Sequence, residues 1–203
     1  MIDSIAHISD IHIRLFKRHD EYRLVFSNLY NDLKAWASKY KNGLIVITGD
    51  IVHSKTDMSP EMISVTSEFL QTISTIAKTI VIAGNHDCNL SNNNRLDALT
   101  PIINNINSQN LIYFKNSGVY QIDNIGFGVY SILGDPSQWP AAKDVGGTCK
   151  IALYHGPVLS AKTDIGYTVN SHAINLNRFD GYDIVMLGDI HKHQTLQTTD
   201  VFI

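Results

Sequence analysis

Residues 79–87 read TIVIAGNHD, a short β-branched apolar run followed directly by the polar word GNHD. The run has the length and composition of a buried strand. Similar apolar runs that end in Asp, Asn or His occur four more times, at residues 5–8, 44–47, 151–154 and 184–187. In open α/β sheets, ligands bind beyond the carboxyl ends of the strands. We therefore expect the five polar clusters to meet at one place.

Helical periodicity separates the first three of these strands. Apolar residues recur at helical spacing over 22–36, with Asp20 as the expected N-cap, and again over 62–76. The second helix should begin at 59–61, where Ser-Pro-Glu places proline at the first helical position. A strand–helix–strand–helix–strand order predicts a parallel sheet with right-handed crossovers.

The middle of the chain shows weaker signals. A short helix is expected after Asn94. Three short strands follow at 111–114, 119–122 and 125–130, separated by turn residues, so we predict that they form a meander. Residues 133–147 contain two prolines and two glycines towards their end and are expected to form a loop.

Composition narrows the class of protein. The chain has 203 residues, of which 44% are hydrophobic and 17% charged, as in a soluble globular domain rather than a disordered chain. A net charge of −3 argues against a broad basic face that holds nucleic acid by charge alone. Two distant cysteines argue against a disulfide scaffold. Without an apolar membrane span or a signal peptide, the expected location is the cytoplasm, or the host cytoplasm if the chain is phage-encoded.

The strand-end clusters supply two carboxylates, one amide oxygen and four imidazoles as candidate metal ligands. These are Asp10, His12, Asp50, Asn85, His155, His191 and His193. Each residue alone could be structural, but the order D-x-H, GD, GNHD, HG, GD-x-H-x-H at strand ends is far more specific. Hard oxygens with imidazole nitrogens suit manganese, iron or zinc better than calcium or copper. Seven ligands suit two ions about 3.5–4 Å apart that share a carboxylate.

This set resembles the calcineurin-like metallophosphoesterases over nearly the whole chain. The resemblance implies an α/β fold, an α+β sandwich with two packed mixed β-sheets flanked by helices. The length of 203 residues predicts one domain over 1–203, without a separate capping domain and with a C-terminal truncation as an alternative. The resemblance implies two divalent ions, manganese first and iron, zinc or magnesium as alternatives. One ion would be held by Asp10, His12, Asp50 and His193. The other would be held by Asp50, Asn85, His155 and His191, with Asp50 bridging.

The chemistry of such a centre is phosphoester hydrolysis. Two divalent ions lower the pKa of bound water from 15.7 towards about 7, so that a bridging hydroxide can attack phosphorus. His86 is the expected proton donor to the leaving oxygen. Asp87 either orients the His86 imidazole or caps the next segment.

The residues that follow the Gly49-Asp50 pair bear on which substrate is hydrolysed. Protein phosphatases of this superfamily carry Asp-Arg-Gly after the Gly-Asp, whereas this chain has His53. A histidine there resembles the SbcD branch, the nuclease half of a DNA-repair nuclease–ATPase complex, and related phage recombination nucleases. The resemblance implies DNA phosphodiester hydrolysis in repair or recombination, with His53 contacting the scissile phosphate or assisting proton transfer. It also implies an SbcC-type ATPase partner and a homodimer through early helices. The apolar helix faces at 22–36 and 62–76 are expected to be core, with exposure of Met62 and Phe69 for dimerisation as the alternative.

A basic loop follows the first ligands. Arg14, Lys17 and Arg18 are expected to contact DNA phosphates, and Phe16 either stacks on a base or packs into the core. A nucleotide or cyclic-nucleotide phosphoesterase and an inactive binding module remain as alternatives. The chain stops ten residues after His193, where nucleases of this branch continue. A fragment and a minimal version of such a nuclease both fit that length.

Overall fold

Two four-stranded sheets form the centre of the computed structural model, which describes residues 1–92 and 95–196. The first sheet is entirely parallel and contains, in spatial order, β1 (Ser4–Ile8), β2 (Gly43–Thr48), β3 (Lys78–Ile82) and β4 (Leu111–Tyr113). The second contains β5 (Gly118–Ile122), β6 (Ile125–Tyr130), β7 (Cys149–His155) and β8 (Ile184–Gly188). It is mixed, because β5 and β6 are antiparallel and the other pairs are parallel.

The helices connect the parallel strands of the first sheet. They are α1 (His19–Lys39), α2 (Pro60–Ile76) and α3 (Leu99–Asn104). At the start of α2, the Ser59 hydroxyl accepts the Met62 N–H at 3.2 Å, which confirms the predicted cap. The predicted N-cap of α1 is wrong. Arg18 is the N-cap, in a left-handed conformation, and Asp20 lies within the first turn, where the helix dipole favours a carboxylate.

Strand β2 shows how the layers pack. Leu44 and Val46 face the second sheet, whereas Ile45 and Ile47 face the helices, and all four are fully buried. A strand covered on both faces has a continuous apolar sequence, which is why it stood out as a run. The helices cover the outer face of the first sheet. Irregular segments with three 3₁₀ turns cover the outer face of the second, around Tyr130. The expected pair of packed sheets with flanking helices is confirmed, but only the second sheet is mixed, since every strand pair of the first is parallel.

The predicted meander is wrong in one respect. Strand β4 pairs in parallel with β3 and completes the first sheet, and only β5 and β6 form a hairpin. The turn between β4 and β5 carries the chain from one sheet to the other. Phe114 lies in that turn, buried between the sheets, with its ring 4.1 Å from the Tyr120 ring. Turn residues announce a change of direction but not which strand the next segment will pair with.

Two side chains weighed as a dimer surface belong to the core. Met62 and Phe69 are fully buried, and the Phe69 ring lies 4.5 Å from that of Phe26 on α1. The exposed apolar residues of α1 are instead Leu24 and Val25. None of the described helices combines the length and the apolar character that a membrane crossing requires.

Thr48, the last residue of β2, joins the two sheets. Its hydroxyl lies 3.0 Å from the carbonyl oxygen of Leu187 on β8, to which it donates, and 2.8 Å from the His7 ring. Its own carbonyl oxygen accepts a hydrogen bond from His155 on β7. One buried residue of the first sheet therefore contacts two strands of the second.

We expect Thr48→Val to lower the free energy of unfolding by about 1–3 kcal/mol, because the isosteric change leaves the buried Leu187 carbonyl without its partner. Urea denaturation measures this loss. Thr66→Val is the matched control. Thr66 is equally buried, but its hydroxyl donates only to Met62 within its own helix, so its loss should be smaller. Equal losses in the two variants would contradict the role of Thr48 between the sheets.

Candidate metal centre

The carboxyl ends of five strands meet at one edge of the sandwich. Strands β1, β2 and β3 come from the first sheet, and β7 and β8 from the second. The side chains that follow them form metal-type clusters in which the ligand atoms lie within 4.8 Å of one another. Two of these are Asp10 with His12 and His191, and Asp10 with Asp50 and His155. The structure thus brings together residues that are up to 181 positions apart, Asp10 and His191 being the extremes.

Asp50 lies in the middle of the clusters and is 2% exposed. Its Oδ1 accepts the His86 N–H at 2.8 Å and lies 3.3 Å from His155 Nε2. Its Oδ2 lies 3.5 Å from His12 Nε2. Burial alone would raise the pKa of Asp50, but His155, the His86 N–H and His12 outweigh it, and the pKa is lowered. An ionised carboxylate with one oxygen towards each histidine is in the position of a bridging ligand.

His155 gives the strongest indication of a cation. Its Nδ1 lies 2.6 Å from the carbonyl oxygen of Thr48, which can only accept, so Nδ1 carries the hydrogen. Its Nε2 then presents a lone pair to Asn85 Oδ1 at 2.9 Å and Asp50 Oδ1 at 3.3 Å. Three lone pairs that converge in a buried place repel one another unless a positive charge lies between them.

The pKa of His155 shows the same demand for a cation. Burial pushes this pKa down, but the Asp50 carboxylate and the Thr48 carbonyl outweigh burial and raise it to about 9. Without an ion, a proton would occupy the place on Nε2. A divalent ion bound there would replace that proton. The donor set therefore fits a metal ion.

The second cluster repeats this arrangement. His12 Nε2 lies 3.1 Å from His191 Nε2, and His191 Nε2 lies 4.0 Å from Asp10 Oδ1. Two imidazole nitrogens at that distance need a proton or a metal ion between them. His12 Nδ1 is, within residues 1–92 and 95–196, a buried side-chain nitrogen with no hydrogen-bond partner. The donor atoms of this cluster also suit a divalent ion of the manganese, iron or zinc type.

The last motif is arranged differently from the prediction. His191 lies with Asp10 and His12, not with His155 and Asn85. His193, predicted as a ligand, is exposed beside a groove and joins none of the metal-type clusters found among the described residues. Asp189, which the sequence reasoning passed over, places Oδ1 3.9 Å from His155 Nε2. Residues 189, 191 and 193 are spaced by two, so the sequence alone does not show which of them lie at the metal centre. The end of β8 at Gly188 determines which of these side chains reach it.

A signal for Asp189 was nevertheless present. It follows a glycine directly after a buried strand, as Asp50 does after Gly49. The backbone N–H of Asp189 donates to both carboxylate oxygens of Asp10, at 3.0 and 3.2 Å. The turn after β8 is therefore held against the turn after β1.

His86 and His53 lie side by side at the open side of the centre. Their rings are stacked at 5.4 Å, and the His86 ring meets that of His12 edge-on at 4.7 Å. His86 Nδ1 donates to the His53 carbonyl oxygen at 2.7 Å, which leaves Nε2 as the nitrogen that can exchange a proton with a ligand. The backbone carbonyl of His53 thus fixes the orientation of the ring of His86, the predicted proton donor.

Asp87 does not orient His86, contrary to one of its two predicted roles. Its carboxylate is fully buried and accepts the N–H groups of Val52 at 2.9 Å and Gly84 at 2.8 Å. Burial raises the pKa of this carboxyl to about 7. Asp87 therefore ties the loop after β2 to the loop after β3. Lys55 reinforces this connection by donating to the Asn85 carbonyl oxygen at 2.9 Å.

The basic loop after His12 lies at the surface beside these histidines. Phe16 is 64% exposed, so the alternative in which it packs into the core is wrong. Burial and then the charge of Arg14 are the main causes that lower the pKa of His53, which places Arg14 close to that ring. Arg18 is already engaged by Glu21 through hydrogen bonds of 2.6 and 2.9 Å. Arg14, Phe16 and Lys17 are exposed in this loop, two to five residues after His12.

Comparison with known proteins gives two findings. Residues 4–193 match the family model of the calcineurin-like phosphoesterases. The chain is also 51% identical, over an alignment of 203 residues, to a protein of Acanthamoeba polyphaga mimivirus named "Uncharacterized protein R555". That alignment covers 95% of this chain but 15% of the relative, so the chain spans about 15% of the length of the curated relative it matches.

We expect His191→Ala to weaken manganese binding at least tenfold, since even the loss of an outer partner of a ligand costs about 10–100-fold in affinity. His193→Ala should leave manganese binding unchanged, because His193, unlike Asp189, has no described contact with the other candidate ligands. Calorimetric titration of metal-stripped protein measures both. Weaker binding in the second variant alone would restore the assignment made from the sequence.

Proposed function

The chain belongs to the calcineurin-like phosphoesterase family, and we propose that within this metal-dependent family it is a two-metal nuclease of the SbcD type that hydrolyses DNA phosphodiester bonds. The observation that carries the proposal is the pair His53 and His86, stacked at 5.4 Å beside His12. A phosphodiester needs a donor to its leaving oxygen, and a second imidazole can contact the other phosphate oxygens. His53, with Ser54 and Lys55, occupies the place where protein phosphatases of the superfamily carry Asp-Arg-Gly.

The protein's own residues have separate roles in the proposed reaction. When two divalent ions are bound at the strand ends, they supply an ionised water and neutralise charge on the phosphate. Because the Nδ1–H of His86 is committed to the His53 carbonyl, its Nε2 is the nitrogen that faces a ligand, and in the imidazolium form Nε2–H would donate its proton to the leaving oxygen. The lowered pKa of His53, due first to burial and then to Arg14, keeps its ring neutral near pH 7. A neutral ring can donate a hydrogen bond to a phosphate oxygen.

The surface next to the centre favours a nucleic acid strand over a free phosphate. Arg14 can neutralise a neighbouring phosphate, and exposed Phe16 offers a ring on which a base can stack. A small phosphomonoester would use neither. Because the net charge is −3, DNA contact has to be local to this loop rather than spread over a basic face.

One observation favours a second candidate, a nucleotide or cyclic-nucleotide phosphoesterase. A groove of about 490 Å³ adjoins Asp10 and His191 and is lined on its far side by apolar residues such as Val158 and Ile190. Sites for small molecules commonly have about 300–1,000 Å³. Activity on nucleotides without activity on DNA would select this candidate.

The partners follow from the proposed nuclease. An SbcC-type ATPase would supply the DNA-gripping surface that a chain of this charge needs. A homodimer would use Leu24 and Val25 of α1, which are 66% and 60% exposed. Size measurement by light scattering tests the dimer, and Leu24→Glu should shift it to monomer.

The role of His86 is tested with manganese-loaded protein. His86→Ala should lower the rate of DNA cleavage by about 10²–10⁴-fold, the usual contribution of a general acid. Hydrolysis of bis-nitrophenyl phosphate should fall much less, because nitrophenolate leaves without a proton. Equal losses on the two substrates would contradict the acid role, and cleavage of small monoesters alone would replace the nuclease with a phosphatase.

The loop gives an independent test of the substrate. Phe16→Ala should raise the KM for single-stranded DNA about tenfold, since one base–aromatic stack is worth about 1–3 kcal/mol, while kcat changes little. Val119→Ala is the control, an exposed apolar residue on edge strand β5 of the second sheet. An unchanged KM in the Phe16 variant would remove this loop from the DNA contact.

A further inference from the structure

The turn after β8 mirrors the turn after β2. A Gly-Asp pair stands at the end of each strand, with Gly49-Asp50 directly after β2 and Asp189 after Gly188, the last residue of β8. Both aspartates have positive φ, 52° and 91°. A Cβ atom on either glycine would lie 2.6 Å from Nδ1 of His155. The two Gly-Asp turns therefore approach the same imidazole closely, one from each sheet.

Asp189 is also held in place by its neighbours. Its N–H is bonded to both oxygens of Asp10, so the turn cannot swing away from the centre without losing these bonds. The side chain of Asp189 is 27% exposed, so most of it is shielded from solvent. Its carboxylate nevertheless accepts no hydrogen bond from any of the described residues. Its Oδ1 points towards His155 Nε2, the atom at which the lone pairs of Asn85 and Asp50 already converge.

We propose that Asp189 is a direct ligand of the ion held by Asp50, Asn85 and His155, and that this third carboxylate shifts the metal preference of the centre from zinc towards manganese. The proposal extends the metal centre of the proposed function. It assigns a ligand that the sequence pattern had given to a histidine, and it removes His193 from the set.

The charge of the centre changes as a result. Two divalent ions with one hydroxide carry about +3, and three carboxylates bring the centre close to neutral, whereas two would leave about +1. Carboxylate oxygens suit manganese and magnesium, and imidazole suits zinc, copper and iron. Exchanging one imidazole for a carboxylate therefore shifts the selectivity of that ion site towards the harder metals.

Metal binding itself provides the test, without an activity measurement. Metal-stripped protein is titrated with Mn²⁺ and, separately, with Zn²⁺, and free Mn²⁺ is followed by electron paramagnetic resonance. The native chain should bind two Mn²⁺. Asp189→Ala should keep one and bind the second more than about a hundredfold more weakly, beyond the roughly 10–100-fold that the loss of an outer partner usually costs.

Two further variants separate ligation from general damage. Asp189→His should bind two ions again but with the ratio of Zn²⁺ to Mn²⁺ affinity raised at least tenfold over the native chain. Asp164→Asn removes an exposed carboxylate that belongs to none of the metal-type clusters in the described part of the chain and should change neither ion. Circular dichroism confirms that each variant is folded.

The outcomes are distinct. A second Mn²⁺ bound with native affinity by folded Asp189→Ala would overturn the proposal, as would an unchanged metal preference in Asp189→His. A native chain that takes up one Mn²⁺ under metal-replete conditions would overturn it as well. Loss of one ion in the alanine variant supports it even if the protein cleaves no DNA, in which case the proposed substrate alone fails.

Discussion

The hydrogen bond between Nδ1 of His155 and the carbonyl oxygen of Thr48 is the contact on which the site depends. It joins β7 of the second sheet to β2 of the first at 2.6 Å, inside the protein. Because the carbonyl can only accept, the bond also fixes which nitrogen of the ring is available. The same contact therefore packs the two sheets and prepares a ligand. A shift of one sheet against the other would misplace the ligand and expose the apolar layer between them.

That layer explains why the ligands can come from distant parts of the chain. Leu44 and Val46 of β2 pack against Phe127 and Leu153 of the second sheet. Burying such side chains stabilises the fold by about 25 cal/mol per Å² of apolar surface. Summed over the whole layer, this free energy is far larger than the contribution of about 0.5–1.5 kcal/mol from a single hydrogen bond at the strand ends. The apolar layer thus sets the relative position of the sheets, and the polar residues beyond it are placed as a consequence.

Local chemistry explains what the sequence could predict. Buried strands such as β2 and β3 are continuous apolar runs, and α2 begins at the helix-start sequence Ser-Pro-Glu. These elements, and the meeting of the polar residues at the strand ends, could therefore be predicted. Pairing across the molecule was not visible. The three residues of β4 carry no mark that assigns them to the first sheet. Likewise, spacing by two made Asp189, His191 and His193 equivalent until the end of β8 was known, and Asp87 stood next to His86 without touching its ring.

The centre is also where the fold departs from low-energy geometry. Among the described residues, eight other than glycine have positive φ, and four of these, Asp10, His12, Asp50 and Asp189, lie at the centre. Such conformations cost about 1–3 kcal/mol each and persist only where the surroundings impose them. Two of these four, Asp50 and His12, also present lone pairs that repel those of neighbouring side chains in the absence of a cation. Strain and repulsion at one place are not needed for packing, since the apolar layer forms without them. A bound cation would relieve the repulsion, because carboxylates and imidazoles that repel one another are each attracted to the ion. The strained turns would then serve to hold these ligands in place around it.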